Sequence, residues 1–249
     1  MGARRCRDNS GITIQGRGEK VPVSLSNASG GSPTPTPHIE LGTKKLRSIR
    51  LLALGAQLGI DGFIVLVVLL HFLRPDLDPG IRTVSEYAIG RYGLLMTTAF
   101  FLLGLGSVAL AALMAWVPEA RSFGRLLPWL MILFALAVMV CGIFRTDTTI
   151  PGSAVTIGGG IHKAAADVAM YAGCAMMALT GLRSLNDKRW SVLSGCTLAM
   201  LVLGLGTWAF LETMGYSGWA ERALIAAVVL WFAGIAVRTT HDVGAVKAL

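Results

Sequence analysis

Residues 51–73 read LLALGAQLGIDGFIVLVVLLHFL, twenty-three residues without a Lys or Arg. At 1.5 Å per residue such a run spans the roughly 30 Å hydrocarbon layer of a bilayer as a helix. Lys44, Lys45, Arg47 and Arg50 stand just before it, and Arg74-Pro75 follows it. Five comparable apolar runs come after, at about 93–117, 126–144, 161–182, 191–212 and 220–238. In lipid every backbone N–H and C=O must find its partner within the segment, which makes these runs helices. The two-residue alternation of a membrane barrel is absent. The expected fold is an all-α integral membrane protein, a six-transmembrane-helix bundle.

Composition agrees, with 54% hydrophobic and 14% charged residues among 249. A soluble domain carries about 25% charged residues, so lipid must solvate much of this chain. The net charge of +8 does not point to nucleic acid, because nine of the 22 basic residues precede residue 51 and the rest mostly flank apolar runs. Basic flanks of this kind orient membrane proteins and attract anionic headgroups, so the Lys44–Arg50 cluster is expected to meet such lipids. No phosphate loop, RNA-reading aromatic motif or zinc-finger spacing is present, and no nucleic-acid partner is expected. Cys6 lies in a polar segment, while Cys141, Cys174 and Cys196 fall within apolar runs and read as small hydrophobes. The first apolar run is long enough to remain as a signal anchor rather than be cleaved.

Three parts are expected. Residues 1–46, rich in Ser, Pro and Thr, read as a disordered cytoplasmic tail, since too little apolar area offsets the cost of ordering them. Residues 47–240 form the six-span domain, and 241–249 a short cytoplasmic tail. With the N-terminus inside, sixteen Lys and Arg fall on the inner side and six on the outer, giving an N-in, C-in orientation that rests mainly on the tail. A Leu-Gly-Leu-Gly string occurs at 103–106 and again at 203–206. It hints at inverted repeats, but close helix approach explains it better.

This orientation gathers three polar loops on the outer side: 74–93, 144–162 and 212–222. Asp76, Asp78 and Gly80 resemble the opening of a calcium loop, but the twelfth position is Tyr87 where a Glu is needed. Ionisable groups inside the spans are expensive and usually face a partner or a polar cavity. They are Asp61 in mid-span, His71 near an outer end, and Asp167 within the fourth span. Asp167 stands one turn from Lys163, an ion-pair spacing. Asp61 has no basic residue at its depth, so it is either hydrogen-bonded or proton-handling. A dihaem site needs four span histidines and the chain offers two. A zinc site from His71, His162 and Asp147 or Glu86 would activate water, but no HxxxH or HExxH spacing supports it. Neither a metal nor another cofactor is expected. Ser85 beside Glu86 is not by itself a nucleophile arrangement.

The runs His71-Phe72-Leu73-Arg74-Pro75, Ser85-Glu86-Tyr87-Ala88 and Gly90-Arg91-Tyr92-Gly93-Leu94-Leu95-Met96 together resemble a prokaryotic membrane family known as domain of unknown function 998. Gly142 to Asp147, Gly160-Ile161-His162, and Glu221-Arg222 ahead of Trp231 extend the resemblance over about 50–238. It implies a six-helix protein of a prokaryotic plasma or inner membrane, with no activity assigned. The expected function is binding or translocation of a small molecule, lipid headgroup or ion in an outer polar vestibule. Its candidate residues are Ser85, Glu86, Tyr87, Arg91, Tyr92, Arg145, Asp147 and His162, with Arg91 and Arg145 suited to an anionic headgroup. A metal-dependent membrane hydrolase and a structural or assembly subunit without chemistry are the competing readings. Oligomeric state is left open.

Overall fold

The computed structural model describes residues 37–116, 126–150, 152–185 and 191–245. They form six helices: α1 (Pro37–Leu73), α2 (Gly93–Trp116), α3 (Leu126–Ile143), α4 (Ile157–Ser184), α5 (Ser191–Thr213) and α6 (Ser217–Ala245). Each contains an apolar stretch of 18 to 27 residues. That is the length a bilayer requires, and no strand occurs among the described residues. The chain is a multi-pass membrane protein.

The helix ends differ from the sequence-based boundaries in instructive ways. α1 starts at Pro37 and takes in residues 37–46, read above as tail. Once a helix is nucleated, each further residue adds a hydrogen bond at little cost, so the ordered span extends backwards. Residues 1–36 lie outside the described part. α4 starts at Ile157, ahead of three glycines, because Thr156 caps it: its hydroxyl accepts the Gly159 N–H at 2.9 Å. Satisfying that otherwise orphaned donor offsets the poor helix propensity of Gly158, Gly159 and Gly160. α6 runs from Ser217 to Ala245, beyond the expected end at both sides, and 246–249 lie outside the described residues.

The helices follow one another around a ring, and α6 returns to pack on α1. α1 and α2 approach closely at Gly59 and Gly106, where a methyl on Gly59 would sit 2.6 Å from the Gly106 Cα. Small residues at such a crossing let backbones pack where lipid gives no hydrophobic drive. The two Leu-Gly-Leu-Gly strings act alike in part. Gly104 admits Met139 of α3 and Gly204 admits Ala227 of α6, whereas Gly206 faces open space. Trp231 and Phe232 of α6 fill the centre, with the Phe232 ring 4.9 Å from that of Phe134 in α3.

α5 is the outlying helix. Only 17% of its spanning window is buried, against 50% in α2 and α6. It leans on α6, and its contact with α4 is thinner. A cleft opens where α4 and α5 part. At that same end of the bundle the α1–α2 connection folds inward as a short 3₁₀ turn, Val84–Ala88, with Val84, Glu86, Tyr87 and Ala88 buried. The α3–α4 and α5–α6 connections meet it there.

Candidate functional site

The inward turn is held by a buried carboxylate. Glu86, 2% exposed, accepts from the Thr83 N–H (3.2 Å), Arg82 Nη1 (3.1 Å), Thr148 Oγ1 (3.1 Å) and Thr149 Oγ1 (2.6 Å). The Thr83 bond is one half of a capping box; the two threonines come from the α3–α4 connection. Glu86 thus ties two loops together, and its lone pairs are taken up within the protein. A buried carboxylate survives only with such donors around it.

The turn is also anchored to α6. Ser217 donates to the Ile81 carbonyl, and Gly218 lies so close to the carbonyls of Pro79 and Arg82 that a methyl there would stand 2.5 Å from each. Only glycine admits this crossing. One turn later Glu221 accepts the Val84 N–H, and Arg222 reaches across the loop. Its Nη1 serves the carbonyls of Pro79, Arg82 and Gly218 at 3.0, 2.6 and 2.9 Å, and its Nε donates to His71 Nε2 at 2.9 Å. The other ring nitrogen of His71 lies 2.7 Å from the Val67 carbonyl, which accepts only if Nδ1 carries the proton. Both His71 nitrogens are therefore engaged. Tyr87 completes the cluster, its hydroxyl 3.3 Å from Arg222 Nη2 and its ring edge-on to His71.

The α3–α4 connection has its own clasp. Asp147 accepts both the backbone N–H and the hydroxyl of Thr156 at 2.8 Å. Those two donors hold its carboxyl below the usual carboxylate range. Five residues into α4, His162 is 2% exposed, with Nδ1 lying 2.8 Å from the Phe144 carbonyl and 3.1 Å from that of Cys141. Two acceptors on one nitrogen place the proton there, so Nε2 carries a lone pair in the neutral ring. That Nε2 is buried and has no partner among the described residues.

His71 and His162 do not converge. The first belongs to the Arg222 cluster between α1 and α6; the second lies between α3 and α4. Among the described residues no group of three or more His, Cys, Asp or Glu is arranged to hold a metal. A zinc or haem site shared by the two histidines is not what this geometry offers.

What the loops frame instead is the cleft between α4 and the α5–α6 pair, about 630 Å³ in volume. Its loop end carries Ser85, Asp147, His162, Lys163, Asp167, Glu212, Ser217 and Glu221, and its deeper walls are Met170, Tyr171, Cys174, Leu205, Trp208 and Leu224. Lys163 and Asp167 face each other at 3.5 Å as an exposed pair on the α4 rim. Ser85, His162 and Glu221 also border a smaller apolar cavity of about 70 Å³ inside the bundle, beside Phe100 and Phe134. They are the polar wall between cleft and core.

Of the residues singled out in the sequence, the cleft therefore gathers Ser85, Asp147, His162 and Asp167. Glu86 and Tyr87 sit behind it, bracing the loop. Arg91 and Tyr92 pair with each other, the guanidinium 4.8 Å above the ring, where Tyr92 turns the chain into α2 with a left-handed φ of 66°. Arg145 is exposed and off the lining, and Asp61 is exposed on α1, bonded to Gln57. Glu221, Arg222, Arg82 and the Thr148-Thr149 pair were not among the candidates. The rule applied to Asp61 and His71, that charges at a span are placed for a purpose, applies equally to Glu221-Arg222.

Residues 58–238, well over half of the chain, match the family described as protein of unknown function (DUF998). No curated protein and no solved structure matches the chain. The chain belongs to this DUF998 family.

Proposed function

We propose that this DUF998 member binds an amphipathic ligand, a lipid or lipid-like molecule, in the cleft between α4 and α5–α6, as a binding or translocation protein rather than an enzyme. One observation carries the reading: the cleft is polar at its loop end and apolar about 10 Å deeper, one leaflet's own gradient. Its volume of about 630 Å³ falls within the range of small-molecule sites. The loosely packed α5 gives such a ligand a lateral way in from the bilayer.

The lining also favours a headgroup class. Carboxylates of Asp147, Asp167, Glu212 and Glu221 outnumber the one amine, Lys163, which is itself paired. Ionised carboxylates accept and do not donate, so an ammonium or hydroxyl headgroup fits better than the anion first expected from Arg91 and Arg145. Those two arginines lie off the lining. The count of basic residues supports an N-in orientation, which puts the polar end of the cleft outside, in the prokaryotic plasma membrane that the family resemblance implies. The Lys44–Arg50 cluster would then lie against anionic inner-leaflet lipid.

Thermal melting of the purified protein in a nonionic detergent tests this, with dodecylamine, dodecanol and dodecanoate added at equal concentration. Dodecylamine and dodecanol are expected to raise the melting temperature and dodecanoate to leave it unchanged. Ala166→Trp, which fills the α4 wall of the cleft, is expected to remove the effect. No response to any of the three, or an equal response in the variant, counts decisively against the cleft as the site.

A further inference from the structure

α1 keeps one face free of its own bundle. Ala53, Ala56, Ile60 and Phe63 are buried, while Leu51, Leu54, Leu58, Asp61, Val65, Val68 and Phe72 are exposed. These seven positions recur every three or four residues along one side of α1, and Gly55 and Leu69 are exposed beside them. The 3.6-residue period of the helix makes them one continuous stripe, a surface along which a second helix can lie at a shallow crossing angle.

The stripe holds one ionisable group, in its middle. Asp61 lies near the centre of the span Arg47–Leu73, and Gln57, one turn earlier, donates to both its oxygens at 2.8 and 2.9 Å. The side chain is exposed, so in a bilayer it opens onto hydrocarbon. None of the ion pairs among the described residues includes it. A polar group in that position is costly unless another molecule meets it, and interhelical hydrogen bonds are among the few forces that join helices in lipid.

We propose that a second copy of this chain covers the face, forming a two-fold α1–α1 pair locked by Gln57 and Asp61. The pair of side chains is self-complementary. Each Gln57 amide has a second N–H and a free carbonyl oxygen, and each Asp61 carboxyl has further lone pairs. Across a two-fold axis the Gln57 N–H of one copy reaches the Asp61 carboxyl of the other, and the reverse bond forms by symmetry. The flanking Leu58 and Val65 interdigitate above and below, and the polar layer sets the register, as a single buried polar residue does in a coiled coil. A different membrane protein would need its own matching donor and acceptor at this depth. The same chain already has them.

The test is energy transfer between two dye populations of the full-length protein in liposomes, followed as lipid is added. Wild type is expected to self-associate, and the double variant Gln57→Leu with Asp61→Leu to pair about tenfold more weakly. Asp61→Asn, which keeps acceptor and donor atoms, is expected to retain most of the pairing. At dilutions where each is monomeric all three should melt alike, because Asp61 is exposed on α1 and its bond goes to Gln57 of the same helix. Wild type that stays monomeric at every dilution overturns the proposal. So does a double variant that pairs as tightly as wild type. Co-extraction from native membranes of one other protein at that face, without a second copy, overturns it too.

Discussion

Arg222 of α6 donates its Nε–H to Nε2 of His71 at the end of α1, 2.9 Å away, and so joins the last helix to the first across the α1–α2 loop. The guanidinium fork does the rest, collecting the loop carbonyls of Pro79 and Arg82 together with that of Gly218 in the first turn of α6. Lys cannot reproduce this, since an ammonium has no planar fork. Arg222→Lys is therefore expected to cost about 2–4 kcal/mol through the carbonyls left bare. His71→Phe, which removes one acceptor of five, should cost less. Denaturation in mixed micelles checks the order; equal loss from both would show that the loop carbonyls do not matter.

Glu86 offers a second measure of the same plug. Glu86→Ala strips a buried acceptor from Arg82, Thr148, Thr149 and the Thr83 N–H, and should destabilise by about 3 kcal/mol. Glu86→Gln keeps the shape and one oxygen and should lose about half as much. Proteolysis within 74–92 is a local readout: the alanine variant should be cut faster than wild type, and an unchanged rate would contradict the bracing role.

Asp147 makes a pH prediction. Its carboxyl is held below the ordinary range by the Thr156 N–H and hydroxyl, so its contribution is complete above the ordinary value of about 4 and is lost as pH falls through the depressed one. Amide exchange at Gly159 and Gly160, just behind the Thr156 cap, should show steady protection down to about pH 4 and lose it below. In Asp147→Asn the acid step should vanish. A step near neutral pH in the wild type would contradict the assignment.

The α1–α2 crossing predicts a contrast between glycines. A methyl on Gly59 meets the Leu102 carbonyl at 2.5 Å and Gly106 at 2.6 Å, both backbone and unable to yield. Gly59→Ala should cost about 1–3 kcal/mol through overpacking. Gly206 has open space around it, and Gly206→Ala should be neutral or stabilise by up to about 1 kcal/mol from helix propensity. Melting of the two variants side by side decides it.

Much of the candidate site was legible, and the illegible part has a common cause. Ser85, Asp147, His162 and Asp167 announced themselves as polar residues at or beside the ends of apolar runs. Arg91 and Arg145 announced themselves equally well but turn away from the cleft, Arg91 onto Tyr92 and Arg145 into the open. Residue type states what a side chain can bind; its direction depends on neighbours distant in the chain. Thr148 and Thr149 show the converse. Nothing local marks them, and they matter because Glu86 arrives from more than sixty residues away.

The sequence by itself determined six helices, their approximate ends and their solvent, because an apolar run of about twenty residues has only one low-energy backbone in lipid. It also located the polar clusters along the chain. Only the tertiary structure decided that His71 belongs with Arg222 and His162 with the cleft, that α5 stands apart, and that Asp61 faces outward. Those outcomes depend on which helix faces which. In lipid that choice is made by close packing at residues such as Gly59, Gly106 and Gly218, and by hydrogen bonds between distant loops; hydropathy encodes neither.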